Sequence, residues 1–324
     1  MGIKYIISII LIFFACLFWG MLFAVPQIMV NFTPFEIALG RYLCFGAVSM
    51  GILLLLKRDI VKKIPRHAWF LALLFCLLMN FAYYSSLNFG LRYSDPAVIT
   101  LLVGISPITI ALYGNWTMKE GYGKKLIAPT VLILGGLFLV NIESLLLEFE
   151  VESLYEYLFG LGCGVFSLLV WTWYAVANAR FLRKNPTIDP REWTTVVGVV
   201  TFFCTIIGIM IHLAITEAEE LEKFSMSNEE FWIFLGGSLI TAVCCSWVAY
   251  SMWNYASRYI PISLMGQIAV FETVFGLIFV YIAAWDIPSS YEFWGIIIML
   301  AGVLIGLASL TMPNKPVEKK IKIK

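Results

Sequence analysis

Glu272 is the side chain whose type and place ask first for an explanation. It stands near the middle of the apolar run 262–284, where an ionised carboxylate costs roughly 3 kcal/mol on insertion scales. A group kept there at that cost serves as a proton carrier or as a counter-charge to a cationic or amino group. The competing reading is a structural carboxyl bonded to Gln267 or Ser263 of its own helix. Aromatic and amide side chains recur at helical spacing in other apolar runs. Phe81, Tyr84 and Asn88 share one stripe; Trp247, Tyr250 and Asn254 share another; Trp171, Tyr174 and Asn178 form a third. Trp19, with Phe23 and Pro26, is the rough equivalent in the first run. Tyrosine hydroxyls and asparagine amides need partners away from lipid, so these stripes face the interior. They either line an aromatic pocket for flat groups or cations, or pack helix on helix with their polar atoms bonded to neighbours.

Arg41 lies several residues inside the second apolar run, with Glu36 at its outer end. The bland expectation is that Arg41 snorkels outward; the sharper ones are a substrate carboxylate or Glu272 as its partner. Arg92 and Asp95 read as helix-end anchors, and His67 and His212 as interfacial residues. Gly302/Gly306 and Gly160/Gly164 have the spacing of close helix contacts, within one chain or between two, so monomer against homodimer stays undecided. No Walker loop, HExxH, GxSxG or Cys/His cluster occurs, so no catalytic residue, cofactor or metal site is expected and the chain does not read as an enzyme.

The elements that carry these residues follow from composition. Hydrophobic residues make up 61% of the 324 and charged residues 13%, far below the charge of a soluble domain. Lipid must cover that surface, and no basic stripe suited to nucleic acid is present. Apolar segments long enough to span a bilayer recur near 5–29, 35–56, 69–91, 96–117, 126–142, 157–182, 192–215, 231–255, 262–284 and 292–311. With ten helices, the basic clusters at Lys57/Arg58/Lys62/Lys63/Arg66, Lys119/Lys124/Lys125 and Arg180/Arg183/Lys184 fall on one side with the Lys-rich tail. By the positive-inside rule that side is cytoplasmic and holds both termini.

The chain also repeats itself. A shift of 166 residues lays Tyr84, Ser85, Asn88, Arg92 and Tyr93 on Tyr250, Ser251, Asn254, Arg258 and Tyr259, and Glu120 on Asp286. A slightly smaller shift matches Thr33-Pro34-Phe35-Glu36 with Asp189-Pro190-Arg191-Glu192, and Trp19 with Trp171. The expected fold is an all-α membrane protein of ten transmembrane helices, built as two inverted-topology five-helix repeats. Its parts would be a first repeat at 1–142, an acidic extracytoplasmic connector at 143–156, a second repeat at 157–311 and a basic cytoplasmic tail at 312–324.

Phe18-Trp19-Gly20, Val170-Trp171, Ile105-Ser106-Pro107 and Lys119-Glu120-Gly121, set in two five-helix halves, resemble the drug/metabolite transporter superfamily, EamA type. Met252-Trp253-Asn254 and Glu292-Phe293-Trp294-Gly295 look similar to its aromatic amino-acid exporter branch; Glu272-Thr273 departs from the Ser106-Pro107 of the first half. The resemblance implies a bacterial inner-membrane location and export of amino acids or related metabolites. The residues themselves point to a secondary transporter of small amphipathic solutes. Its substrate would lie among Trp19, Arg41, Phe81, Tyr84, Asn88, Trp171, Tyr174, Asn178, Trp247, Tyr250, Asn254 and Glu272, with Glu272 as the proton-coupling group. Cationic amines are the alternative substrate, and a non-transporting scaffold or receptor the third reading. The expected partners are a small molecule, protons if transport is coupled to them, and the bilayer.

Overall fold

The computed structural model of the chain describes residues 2–56, 59–146 and 153–311. Part of the expected connector at 143–156, the tail at 312–324, and Lys57 and Arg58 lie outside the described residues. Every regular element among the described residues is helical. Ten of the helices are long and apolar enough to cross a membrane: α1 Ile3–Phe23, α2 Pro34–Leu56, α3 Arg66–Tyr93, α4 Val98–Met118, α5 Gly123–Val140, α6 Leu154–Lys184, α7 Pro190–Ile215, α8 Glu229–Tyr259, α9 Ile262–Ala284 and α10 Ser290–Ser309.

Local chemistry sets the ends of these helices. Thr33 and Glu36 form a reciprocal capping box ahead of α2, with Pro34 in the first turn where its missing N–H costs nothing. Asp189 caps α7 by accepting from the Arg191 amide at 2.8 Å. Ser289 and Glu292 repeat the capping box at α10. At the far ends, Lys119 and Trp285 each close a helix in the left-handed region, at φ 55° and 54°. They stand 166 residues apart, the same shift that aligns the two halves in sequence.

Two prolines break the expected runs. The first run was expected to reach residue 29, but α1 ends at Phe23 and a separate turn, Val25–Ile28, begins with Pro26 near its start. Within α4 the helix is interrupted at Ile105, because Pro107 has no N–H for the turn before it.

The helices pair in a mirrored scheme. α1 packs on α8 and α9, as α6 packs on α3 and α4; α2 runs beside α7, α5 beside α10, and α4 beside α9. Exchanging each helix for the one five places on returns the same set of pairs. The main core gathers Ile12, Cys16, Trp19, Ala175, Ala179, Cys245, Trp253, Met265 and Ile268 from α1, α6, α8 and α9. Close backbone approach depends on glycine where α5 meets α10: a Cβ on Gly136 would stand 2.5 Å from the Gly295 carbonyl, and one on Gly295 2.7 Å from the Gly136 carbonyl. Gly302 packs on Ile133 and Leu132, Gly306 on Gln267, and Gly160 on Ser94. Both small-residue faces are therefore filled by the chain's own helices.

Candidate functional site

Two π-helical turns shape the centre of the bundle. One spans Leu77–Tyr83 in α3 and the other Ala242–Val248 in α8. Each inserts a residue into the helical ladder and leaves a carbonyl turned toward the first helix of the other half. Trp19 of α1 donates its ring N–H to the Cys245 carbonyl at 2.8 Å, and Ser167 of α6 donates to the Tyr83 carbonyl at 3.2 Å.

The aromatic rings meet around these turns. Trp19 lies edge-on to Trp171 at 6.2 Å and to Tyr250 at 5.6 Å. Trp171 stacks on Tyr174 at 5.8 Å and tilts against Tyr83 at 6.2 Å. Four of the expected residues, Trp19, Trp171, Tyr174 and Tyr250, thus form one cluster drawn from α1, α6 and α8, joined by Tyr83 of α3.

Arg41 and Glu272 approach this cluster from opposite helices, α2 and α9. Both keep some accessible surface while lying deep among the helices. Tyr83, Tyr250 and Cys245 stand in the electrostatic field of both charged groups. Arg41 does not snorkel outward. Its Nη2 donates to the Tyr42 hydroxyl at 2.9 Å, its guanidinium sits 4.7 Å from the Tyr42 ring centroid, and its Nε is buried without a partner. A hydroxyl at the adjacent position offers the guanidinium a partner that the snorkelling path through lipid does not. The Glu272 carboxylate makes no hydrogen bond or ion pair among the described residues. Gln267 has no partner for either amide atom, and Ser263 is bonded to Glu120, so neither of the expected structural partners holds Glu272.

Of the remaining expected residues, Tyr84 also stands in the field of Arg41, and the others are held by contacts among the helices. Asn178 and Asn254 are 0% and 3% exposed and belong to a closed chain of bonds. Trp193 donates to Asn178 Oδ1 at 2.8 Å, Asn178 Nδ2 to Asn254 Oδ1 at 2.7 Å, and Asn254 Nδ2 to Thr194 Oγ1 at 2.9 Å. That network ties α6, α7 and α8 together. Asn88 donates to the Tyr84 carbonyl of its own helix at 2.8 Å, and the Tyr84 hydroxyl donates to the Pro34 carbonyl. Phe81 lies against Gly208 of α7, and Trp247 donates to Thr195 Oγ1 at 3.2 Å. The π turn in α3 explains part of this division. One extra residue rotates the face by about 100°, which turns Tyr83 toward Trp171 and sends Phe81 elsewhere. Tyr42, Tyr83 and Cys245 escaped the sequence reading; the Arg41-Tyr42 and Tyr83-Tyr84 doublets were the available signals.

Glu120, at the α4–α5 turn, is a structural cap. Its carboxylate accepts from the amides of Ile262 and Ser263 at 2.7 and 2.9 Å and from the Ser263 hydroxyl at 2.6 Å, and Arg183 stands 3.6 Å away. An anion is favoured at this helix N-terminus, where the amides of α9 have no partners in their own helix.

Known proteins share both the sequence pattern and the fold. The chain is 29% identical over 313 residues to the inner membrane protein YtfF of Escherichia coli K12, covering 95% of this chain and 96% of that one. It is 21% identical over 300 residues to the protein named uncharacterized transporter YyaM of Bacillus subtilis 168, covering 92% of each. A solved crystal structure shares the fold at a TM-score of 0.69 and 17% identity, covering 94% of this chain and 97% of that one. The profile of the EamA-like transporter family matches residues 6–142. The matched stretch runs from α1 to α5, so the first five helices are similar to the EamA-like transporter family.

Proposed function

We propose that this protein is a secondary transporter of small amphipathic zwitterions, neutral or aromatic amino acids and related metabolites, which it exports across the inner membrane by alternating access. The observation that carries the reading is that Arg41 and Glu272, not bonded to each other, both stand in the electrostatic surroundings of Tyr83, Tyr250 and Cys245. A zwitterion brings a carboxylate for the guanidinium, an ammonium for the carboxylate, and an apolar part for Trp19, Trp171 and Tyr250. Proton coupling runs through Glu272 in this reading.

The mirrored helix pairing, the π turns at matching places and the left-handed residues 166 positions apart support an inverted repeat of two halves, 1–142 and 157–311. The Lys/Arg bias supports cytoplasmic termini, and the name of the Escherichia coli relative supports the inner membrane.

Reconstitution into liposomes tests the proposal, with labelled L-phenylalanine, phenethylamine and putrescine compared as solutes. Flux of L-phenylalanine above that of protein-free liposomes, with the amines slower, is the expected result. Amine flux without L-phenylalanine flux overturns the zwitterion reading in favour of a cation carrier, for which the aromatic walls and Glu272 would suffice. No flux of any solute favours a scaffold.

A further inference from the structure

Glu36 and Glu192 hold matching positions at the starts of α2 and α7, each two residues after a proline and three after a capping side chain. Each also takes a lysine from the other half. Lys223, from the connection leading into α8, stands 2.9 Å from Glu36. Lys63, from the connection leading into α3, stands 3.5 Å from Glu192. His212, near the end of α7, lies 3.2 Å from the other oxygen of Glu36. The two clusters therefore sit at opposite ends of the antiparallel pair α2/α7, separated by about 30 Å of helix.

Their settings differ. At the Glu36 end the lysine and glutamate side chains are 18% and 2% exposed; at the Glu192 end they are 51% and 11% exposed, and Lys63 also bonds Asp59 at 2.5 Å. A pair with both side chains mostly buried resists separation more than one whose lysine is half exposed. Between them, α2 and α7 touch at small residues. A Cβ on Gly46 would stand 2.5 Å from Phe202 Cβ, and one on Gly198 2.6 Å from Ser49 Cβ. Two rigid rods in contact at their middles can rock over that contact, and a rocking motion that brings one pair of ends together separates the other.

We propose that Glu36–Lys223–His212 and Glu192–Lys63 are reciprocal clasps on one lever, each closing its face of the transporter as the other loosens. In the structure both clasps are made, the Glu36 one more deeply buried than the Glu192 one. The proposal rests on the alternating-access reading above, and it assigns the two closing contacts to α2 and α7 rather than to the solute cavity.

Hydrogen–deuterium exchange of the full chain in nanodiscs tests it without any solute, so a failure of reciprocity and a failure of flux are separate results. Glu36→Gln is expected to raise exchange about threefold at residues 29–33 and 216–228, and to slow it at 59–65 and 185–190. Lys63→Met is expected to do the reverse. If Glu36→Gln does not give monodisperse protein, Lys223→Met carries the same prediction, since the Thr33 and His212 contacts survive it. Exchange that rises only at the cut end, or changes at neither end, overturns the proposal.

Discussion

Arg41 and Glu272 both stand in the electrostatic surroundings of Tyr250 and Cys245, yet among the described residues no ion pair joins them. Two opposite charges left unneutralised in a membrane interior cost more than a pair in contact. On the zwitterion reading proposed above, the partner's place falls to a molecule that carries both complementary charges. Each residue can then be tested by what the solute loses when it is changed.

Glu272→Gln removes the ionisable proton and keeps the volume. Flux driven by a proton gradient is expected to fall by about tenfold or more, while thermal unfolding and size-exclusion profiles stay unchanged. Flux equal to the unaltered protein in proteoliposomes would remove Glu272 from the mechanism.

Arg41→Met removes the guanidinium and keeps the stem. A charge-assisted bond to a carboxylate is worth about 1.5–3 kcal/mol, so L-phenylalanine affinity should fall by about tenfold to a hundredfold. Phenethylamine, which lacks the carboxylate, should be carried as well as before or better. An equal loss for both solutes would mean that Arg41 supports the cavity rather than reading the solute.

Asn178→Ala cuts the Trp193–Asn178–Asn254–Thr194 chain in its middle. It strands the Trp193 N–H and the Asn254 carbonyl, at about 1–3 kcal/mol per buried unsatisfied group. The expected outcome is a lower unfolding temperature with relative solute preferences unchanged. A selective change in KM at unaltered stability would return Asn178 to the binding surface.

Glu120→Ala uncaps α9 and removes the carboxylate beside Arg183, which keeps its bonds to the Ser257 and Ile260 carbonyls. A lost cap alone costs about 0.5–2 kcal/mol, and the loss of the counter-charge to Arg183 adds to it. Glu120→Gln should recover part of the loss, because its amide oxygen still accepts from one of the two amides. Thermal unfolding in detergent measures both.

Much of this fold could be read directly from the chain because lipid imposes a simple rule: a long, nearly uncharged run must be a helix. The ten runs and their order follow from that alone. Glu272 was legible for the same reason, as a charge where charge is costly. Trp19 and Trp171 followed from the repeat. Less legible was everything that depends on a partner distant in sequence. Asn178 looked like pocket lining because nothing in its own helix shows that Trp193 will occupy its carbonyl. Glu36 looked like a helix-end residue because Lys223 and His212 come from 187 and 176 positions away. Arg41 looked able to snorkel because its stem is long enough; the Tyr42 hydroxyl that holds it inside was one residue away and silent.

The π turns have a consequence for how substitutions along α3 and α8 will register. A scan of single changes through α3 should show sensitivity at the ordinary helical interval up to about residue 77, then a phase jump of one position, then the same interval again. The scan through α8 should jump at about residue 242. Deleting one residue inside either turn would let an unbroken α-helix keep every later side chain on its neighbour, whereas deleting one in the regular helix beyond it would swing them all by about 100°. A change of that kind, small in length and apolar in character, should be less tolerated than many substitutions to larger or more polar residues on the lipid face.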